Sequence, residues 1–241
     1  MTGAPPLLLL PGLMCDAAVW RAQIELYSTS HTLQVPSYGT LDSLRDMARH
    51  VLSAAPGKFA LAGHSMGGRV ALEVMNLAPE RVTRLALLNT GCHAMAGGEA
   101  GETERRERSR LLDLARSEGL HIMALSWSSS LLDPQRLDDS ALVDDIIRML
   151  GRKSVDIYER QVNALLNRPE RYSLLEQIHC PVLVLTGRSD PLSPPQANCE
   201  MAEAISGSRL VVLEDCGHMA PQERPAEVNR HLSAWLQSGM P

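Results

Sequence analysis

The chain has 241 residues, of which 44% are hydrophobic and 21% charged, and its formal net charge is -5. Such a length and balance describe one globular unit with a sizeable core and room for an insertion. The acidic balance, the lack of a long basic run and an aromatic content of 3% exclude an electrostatic or base-stacking case for nucleic acid, and give none for an anionic membrane.

The N-terminal Met1-Thr-Gly-Ala-Pro-Pro has no basic leader region, and the apolar run Leu7–Leu10 is too short for a signal peptide or a membrane span. The expected location is the cytoplasm. Run 7–10 is fenced by prolines and reads as a short buried strand. A turn at Leu13 leads into a helix reaching about Tyr27, and 32–36 gives a second strand. Residues 41–52 place Leu41, Leu44, Met47, Ala48, Val51 and Leu52 on one helical face.

Phe59, Ala60, Leu61 and Ala62 read as a strand buried on both faces, and Arg69 to Ala78 as a helix that Pro79 closes. Between them stands Gly63-His-Ser65-Met-Gly67. Glycine, serine and glycine at this spacing, between strand and helix, form the nucleophile-elbow pattern. Ser65 is expected in a strained conformation, and a β-carbon at 63 or 67 should collide with neighbouring chain. The Met66 N–H, at the helix start, is left facing any anion beside the serine.

Residues 82–88 form the next strand, and strand–helix alternation points to a parallel sheet with its site beyond the carboxyl ends of the strands. From 94 to 172 only helical spacing recurs, so this stretch is expected to be an all-helical lid inserted into a core of 1–93 and 173–241. Its mixed-charge run, 99–110, reads as a solvated helix face, and Ser126–Ser130 as a loop. The sheet resumes at Pro181–Leu185, followed by a helix over 195–205, a last strand over 209–213 and a final helix over 225–237.

Ser65, then Asp190 just past one strand end, then His218 just past the next, supply in order a hydroxyl, a carboxylate and an imidazole. Acyl transfer needs these three groups: a nucleophile, an acid that orients the base, and the base. Asp215 is too close to His218 in sequence to support its ring and reads as a loop-stabilising acceptor. Asp16 reads as a helix cap, and His64 as a core histidine beside the elbow.

The five cysteines, Cys15, Cys92, Cys180, Cys199 and Cys216, are odd in number and lack C-x-x-C spacing. Neither a disulfide framework nor a zinc site is expected, and a serine at the elbow removes the need for a thiol nucleophile.

Four segments, Leu-Leu-Leu-Leu-Pro-Gly-Leu, Gly-His-Ser-Met-Gly-Gly, Leu-Thr-Gly-Arg-Ser-Asp and Asp-Cys-Gly-His-Met, give the chain a resemblance to α/β-hydrolase fold proteins of the esterase type. A carboxylesterase resembling the pimeloyl-carrier-protein methyl esterase group is the leading expectation. The resemblance implies an α/β fold with a mostly parallel sheet of about six strands, its N-terminal strands shortened, and helices on both faces. It implies Ser65 as nucleophile, His218 as general base and acid, Asp190 as its carboxylate partner, and the N–H groups of Leu13 and Met66 as the oxyanion hole. Pro11 stands where the family usually has histidine before the oxyanion glycine. Met14, His93, Trp127 and Met219 are the candidate pocket residues.

The expected activity is hydrolysis of small to medium carboxylic esters, without metal or organic cofactor, by a monomer or small homo-oligomer that binds neither nucleic acid nor membrane. Enol-lactone, thioester and carbon–carbon substrates suit the same triad, and a non-turnover ligand receptor of this fold is the alternative outside enzymology.

Overall fold

The structure, a computed structural model, describes residues 5–238. Positions 1–4, part of the N-terminal segment read above as lacking a leader region, and residues 239–241 lie outside the described residues.

Six strands form one fully parallel sheet: β1 (Leu7–Leu10), β2 (Leu33–Gln34), β3 (Phe59–His64), β4 (Val82–Leu88), β5 (Val182–Gly187) and β6 (Arg209–Leu213), in the order β2-β1-β3-β4-β5-β6. All positions of β1, β3 and β5 are buried, as a sheet covered on both faces requires. The second strand is shorter than the expected 32–36. It is a half-buried edge strand, and Pro36 has no N–H for a ladder.

The sheet is covered by helices α1 (Arg21–Tyr27), α2 (Leu44–Ala54) and α3 (Met66–Leu77), and further along by helices over Pro195–Ala204 and Pro225–Gln237. The second helix begins at Leu44 because Ser43 caps it, accepting from the Asp46 N–H at 3.3 Å; Leu41 therefore stays outside. The third begins at Met66, three residues before the expected start, because the elbow turn itself forms its first turn.

Between β4 and β5 the chain is helical: α4 (Gly98–Glu118), α5 (Leu120–Ser128), α6 (Ser140–Gly151), α7 (Val155–Leu166) and α8 (Tyr172–Leu175). Most of 126–130 is therefore not a loop, since the fifth helix carries Ser126, Trp127 and Ser128. After β5 come α9 (Pro195–Ala204), and after β6 α10 (Ala220–Glu223) and α11 (Pro225–Gln237).

Contacts on several sides hold the helical stretch against the rest. Glu73, a buried carboxylate on α3, pairs with Arg171 at 2.7 Å, and Arg152 forks onto Asp16 at 2.8 Å through two nitrogens. The Met14 N–H donates to Gln161 at 2.9 Å, and the His218 N–H donates to the Leu131 carbonyl at 2.7 Å. The last contact ties these helices to the loop that carries the histidine.

No helix among the described residues is long and apolar enough to cross a membrane.

Candidate active site

Gly63 and Gly67 explain how a serine comes to stand clear of the sheet. A β-carbon at Gly67 would lie 2.2 Å from the Leu10 carbonyl oxygen, and one at Gly63 would lie 2.4 Å from that of Gly67. Any side chain there would push β1, β3 and α3 apart. The tight approach bends the chain so that Ser65 takes φ 54° and ψ -119°, a conformation that costs a non-glycine residue about 1–3 kcal/mol. Thr90 at the end of β4 braces the bend, its hydroxyl donating to the Ser65 carbonyl at 2.7 Å.

Ser65 Oγ lies 2.8 Å from His218 Nε2, and His218 Nδ1 lies 2.9 Å from both oxygens of Asp190. The three side chains sit on loops after β3, β6 and β5. Asp190 is fully buried, yet it is well supplied with donors: Asn89 Nδ2 at 2.9 Å and the N–H groups of Leu192 and Ser193 at 2.9 and 3.0 Å. Burial pushes its carboxyl up, but the charge of His218 and the hydrogen bonds from His218, Asn89 and Ser193 more than offset this and hold it at about 2. An ionised Asp190 fixes the proton of His218 on Nδ1 and leaves Nε2 free to accept from the serine hydroxyl.

The loop bearing His218 is clamped by Glu223, a buried carboxylate on α10. Its oxygens accept from the N–H groups of Gly217 at 3.0 Å, Met219 at 2.9 Å and Asp133 at 2.9 Å. One side chain thus joins both neighbours of the histidine to the helical stretch.

His64 is a buried core histidine with one bond made. Its Nε2–H donates to the His218 carbonyl at 2.8 Å, and burial, with His218 alongside, lowers its pKa to about 3, so the ring is neutral. Asp16 caps the turn at Ala17–Trp20, accepting from Ala18 at 2.9 Å. Asp215 accepts from Arg224 at 3.1 Å, away from the imidazole of His218.

A cavity of about 420 Å³ opens over Ser65 and His218, a size suited to a small organic ligand. Leu13, Met66, Trp127 and Met219 are in its wall. Neither the Leu13 nor the Met66 N–H is spent in a turn, loop or cap hydrogen bond among the described residues.

Two expected pocket residues are not in the wall. Met14, with φ 59°, turns into the core and is fully buried. His93 is on the surface, stacked on Tyr172 at 5.4 Å and paired with Glu170 at 3.2 Å. Cys15 does line the cavity, but burial and the nearby Asp16 push its thiol up to about 12, which removes its thiolate at neutral pH. All five cysteines are free, and no cluster of three or more His, Cys, Asp or Glu side chains placed to hold a metal ion occurs among the described residues.

Sequence reasoning missed the roles of Asn89 and Glu223. Asn89 had a readable signal: a strand-end asparagine, a non-glycine residue that tolerates a left-handed turn, which it takes here with φ 49°. Glu223 had none, since a charged residue in a helical run reads as a solvated face.

Comparison with known proteins places these features in context. The family model described as "Alpha/beta hydrolase family" matches residues 7–231. An (E)-2-((N-methylformamido)methylene)succinate hydrolase from Acinetobacter baylyi is 27% identical, covering 97% of this chain and 90% of the relative. A pimeloyl-[acyl-carrier protein] methyl ester esterase from Nitrosomonas europaea is 28% identical over 89% of this chain and 88% of its own. Among solved structures, a thermophilic esterase from Thermogutta terrifontis, with malate bound, superposes with a TM-score of 0.84 at 26% identity, covering 98% of this chain and 90% of that one.

Proposed function

The chain belongs to the alpha/beta hydrolase family, and from that premise we propose that it is a serine hydrolase that cleaves small to medium carboxylic esters through an acyl-enzyme. The observation that carries the reading is the continuous line of hydrogen bonds from Ser65 through His218 to Asp190, at 2.8 and 2.9 Å. The names of the curated relatives, a succinate-derivative hydrolase and a methyl ester esterase, support a hydrolytic role.

In this mechanism His218 Nε2 takes the proton of Ser65 as Oγ attacks the ester carbonyl. The Leu13 and Met66 N–H groups receive the developing oxyanion, and Asp190 stabilises the imidazolium. His218 then passes its proton to the departing alkoxide, and the alcohol leaves. Water, deprotonated by the same nitrogen, attacks the acyl-enzyme and returns Ser65 with release of the acid. The helices between β4 and β5 act as a lid that encloses the substrate, and their apolar wall excludes bulk water. The protein works on a small molecule in the cytoplasm, as a monomer or small homo-oligomer.

The direct test is turnover of p-nitrophenyl esters from acetate to decanoate. Multiple turnovers with an optimum among the short and medium chains are expected, in keeping with a cavity of about 420 Å³, the size of a small-molecule site. Single turnover without release of acid at any chain length would favour a ligand receptor instead.

A further inference from the structure

Arg69 lies on the first turns of α3, four residues beyond Ser65, and lines the same cavity. Its guanidinium runs along Gly91, where a β-carbon would lie 3.2 Å from Nη2, and its Nη1 donates to the His93 carbonyl at 2.8 Å. No carboxylate among the described residues is within ion-pair distance of it.

The other two arginines of this wall are both paired, and with a single carboxylate. Arg108 reaches Glu104 through two nitrogens at 2.9 and 2.7 Å. Arg168 forks onto both oxygens of the same Glu104 at 2.8 and 2.7 Å. Glu107, the other acidic residue lining the cavity, is taken by Arg110 at 2.7 and 3.0 Å. Two guanidiniums therefore share one carboxylate, and Arg69 is left without a counter-charge.

A cation held against a largely apolar wall is unfavourable unless an anion joins it. Burial, with repulsion from Arg168 and Arg108, lowers the Arg69 pKa to about 10, which still leaves it charged at neutral pH. The fork of an arginine fits a carboxylate in two parallel hydrogen bonds.

We propose that Arg69 is the recognition site for a free carboxylate on the substrate, so that the substrates are half-esters of dicarboxylic acids rather than neutral esters. The assignment rests on the reading of Ser65 as the nucleophile that attacks the ester carbonyl. Substrate then enters with its ester at Ser65 and its free acid at Arg69, and the ion pair fixes which carbonyl is presented.

The experiment compares kcat/KM for the monomethyl esters of succinate through suberate with methyl esters of monocarboxylic acids of equal chain length, following methanol release. Wild type is expected to prefer one half-ester over its neutral counterpart by about tenfold to a hundredfold, the worth of a charged, bidentate contact. Arg69→Met should bring that ratio close to one, and Arg69→Lys, which keeps the charge but loses the fork, should retain part of it. A wild type that favours the neutral esters overturns the proposal, as does an unchanged ratio in Arg69→Met. Calorimetric titration of Ser65→Ala with the same half-esters separates this outcome from failure of the nucleophile. If no ester is turned over, binding that disappears in the double variant Ser65→Ala, Arg69→Met still supports the carboxylate site. Equal binding by both variants, or by neither, overturns it.

Discussion

Ser65→Ala is expected to lower kcat for p-nitrophenyl ester hydrolysis by about 10³- to 10⁶-fold while leaving KM within a few-fold of wild type. In the proposed mechanism the hydroxyl removed forms the covalent bond, so its loss falls on the chemical step. Ground-state binding depends on the cavity wall, which the substitution does not touch. A residual rate above the uncatalysed one is expected, because the Leu13 and Met66 N–H groups, the proposed oxyanion hole, are untouched by the substitution. The variant should fold as wild type does, since alanine carries the same β-carbon into the same backbone conformation at φ 54°. Rates equal to those of wild type would remove Ser65 from the mechanism.

Asp190→Asn is expected to cost about 10³- to 10⁴-fold in kcat, although it exchanges one atom for another of similar size. Asp190 accepts hydrogen bonds from His218, Asn89 and the N–H groups of Leu192 and Ser193. An amide has one oxygen for all of them and turns its NH₂ toward a group that was donating. If that group is His218, the ring proton moves to Nε2, which then points a hydrogen at Ser65 and cannot accept its proton.

The same substitution should change the acid limb of the stability curve. The folded carboxyl sits at about 2, below its ordinary 3.8, so its ionised form favours the folded state. That contribution, about 2 kcal/mol by linkage, is fully present above pH ~4 and is lost as pH falls through ~2. Urea midpoints measured between pH 5 and 2 should therefore fall more steeply in wild type than in Asp190→Asn. Parallel slopes would mean that Asp190 is not held down by its neighbours.

Much of the fold could be read from the chain because parallel strands must be apolar on both faces. Runs such as Leu7–Leu10 and Val182–Leu185 have no other stable place in a chain of this composition. The edge strand was harder, since Leu33–Gln34 is only half-buried and its extent depends on how far its neighbour can pair. Element ends were decided by local chemistry: the Ser43 side chain started α2 late, and the elbow turn started α3 early.

The candidate site was legible to the depth at which backbone pattern controls it. A glycine-flanked serine and two polar residues at strand ends can be found from spacing, and the structure links these three in sequence, serine to histidine at 2.8 Å and histidine to aspartate at 2.9 Å. Which side chains face the cavity is set by single rotations that spacing does not encode. Met14 illustrates this, since a positive φ turns it inward while Leu13 and Cys15 on either side remain in the wall. Arg69 illustrates it too, because its lack of a counter-charge emerges only once Glu104 is seen to be shared by Arg108 and Arg168.

The most direct measurement is intact-mass spectrometry after brief treatment with a fluorophosphonate, which reacts only with a serine activated by its neighbours. Wild type is expected to gain the mass of one phosphonyl group, mapped by peptide sequencing to Ser65, with inhibition in step with labelling, and Ser65→Ala to gain none. Folded wild type that stays unlabelled, or labels at another residue while Ser65 remains free, would contradict the account.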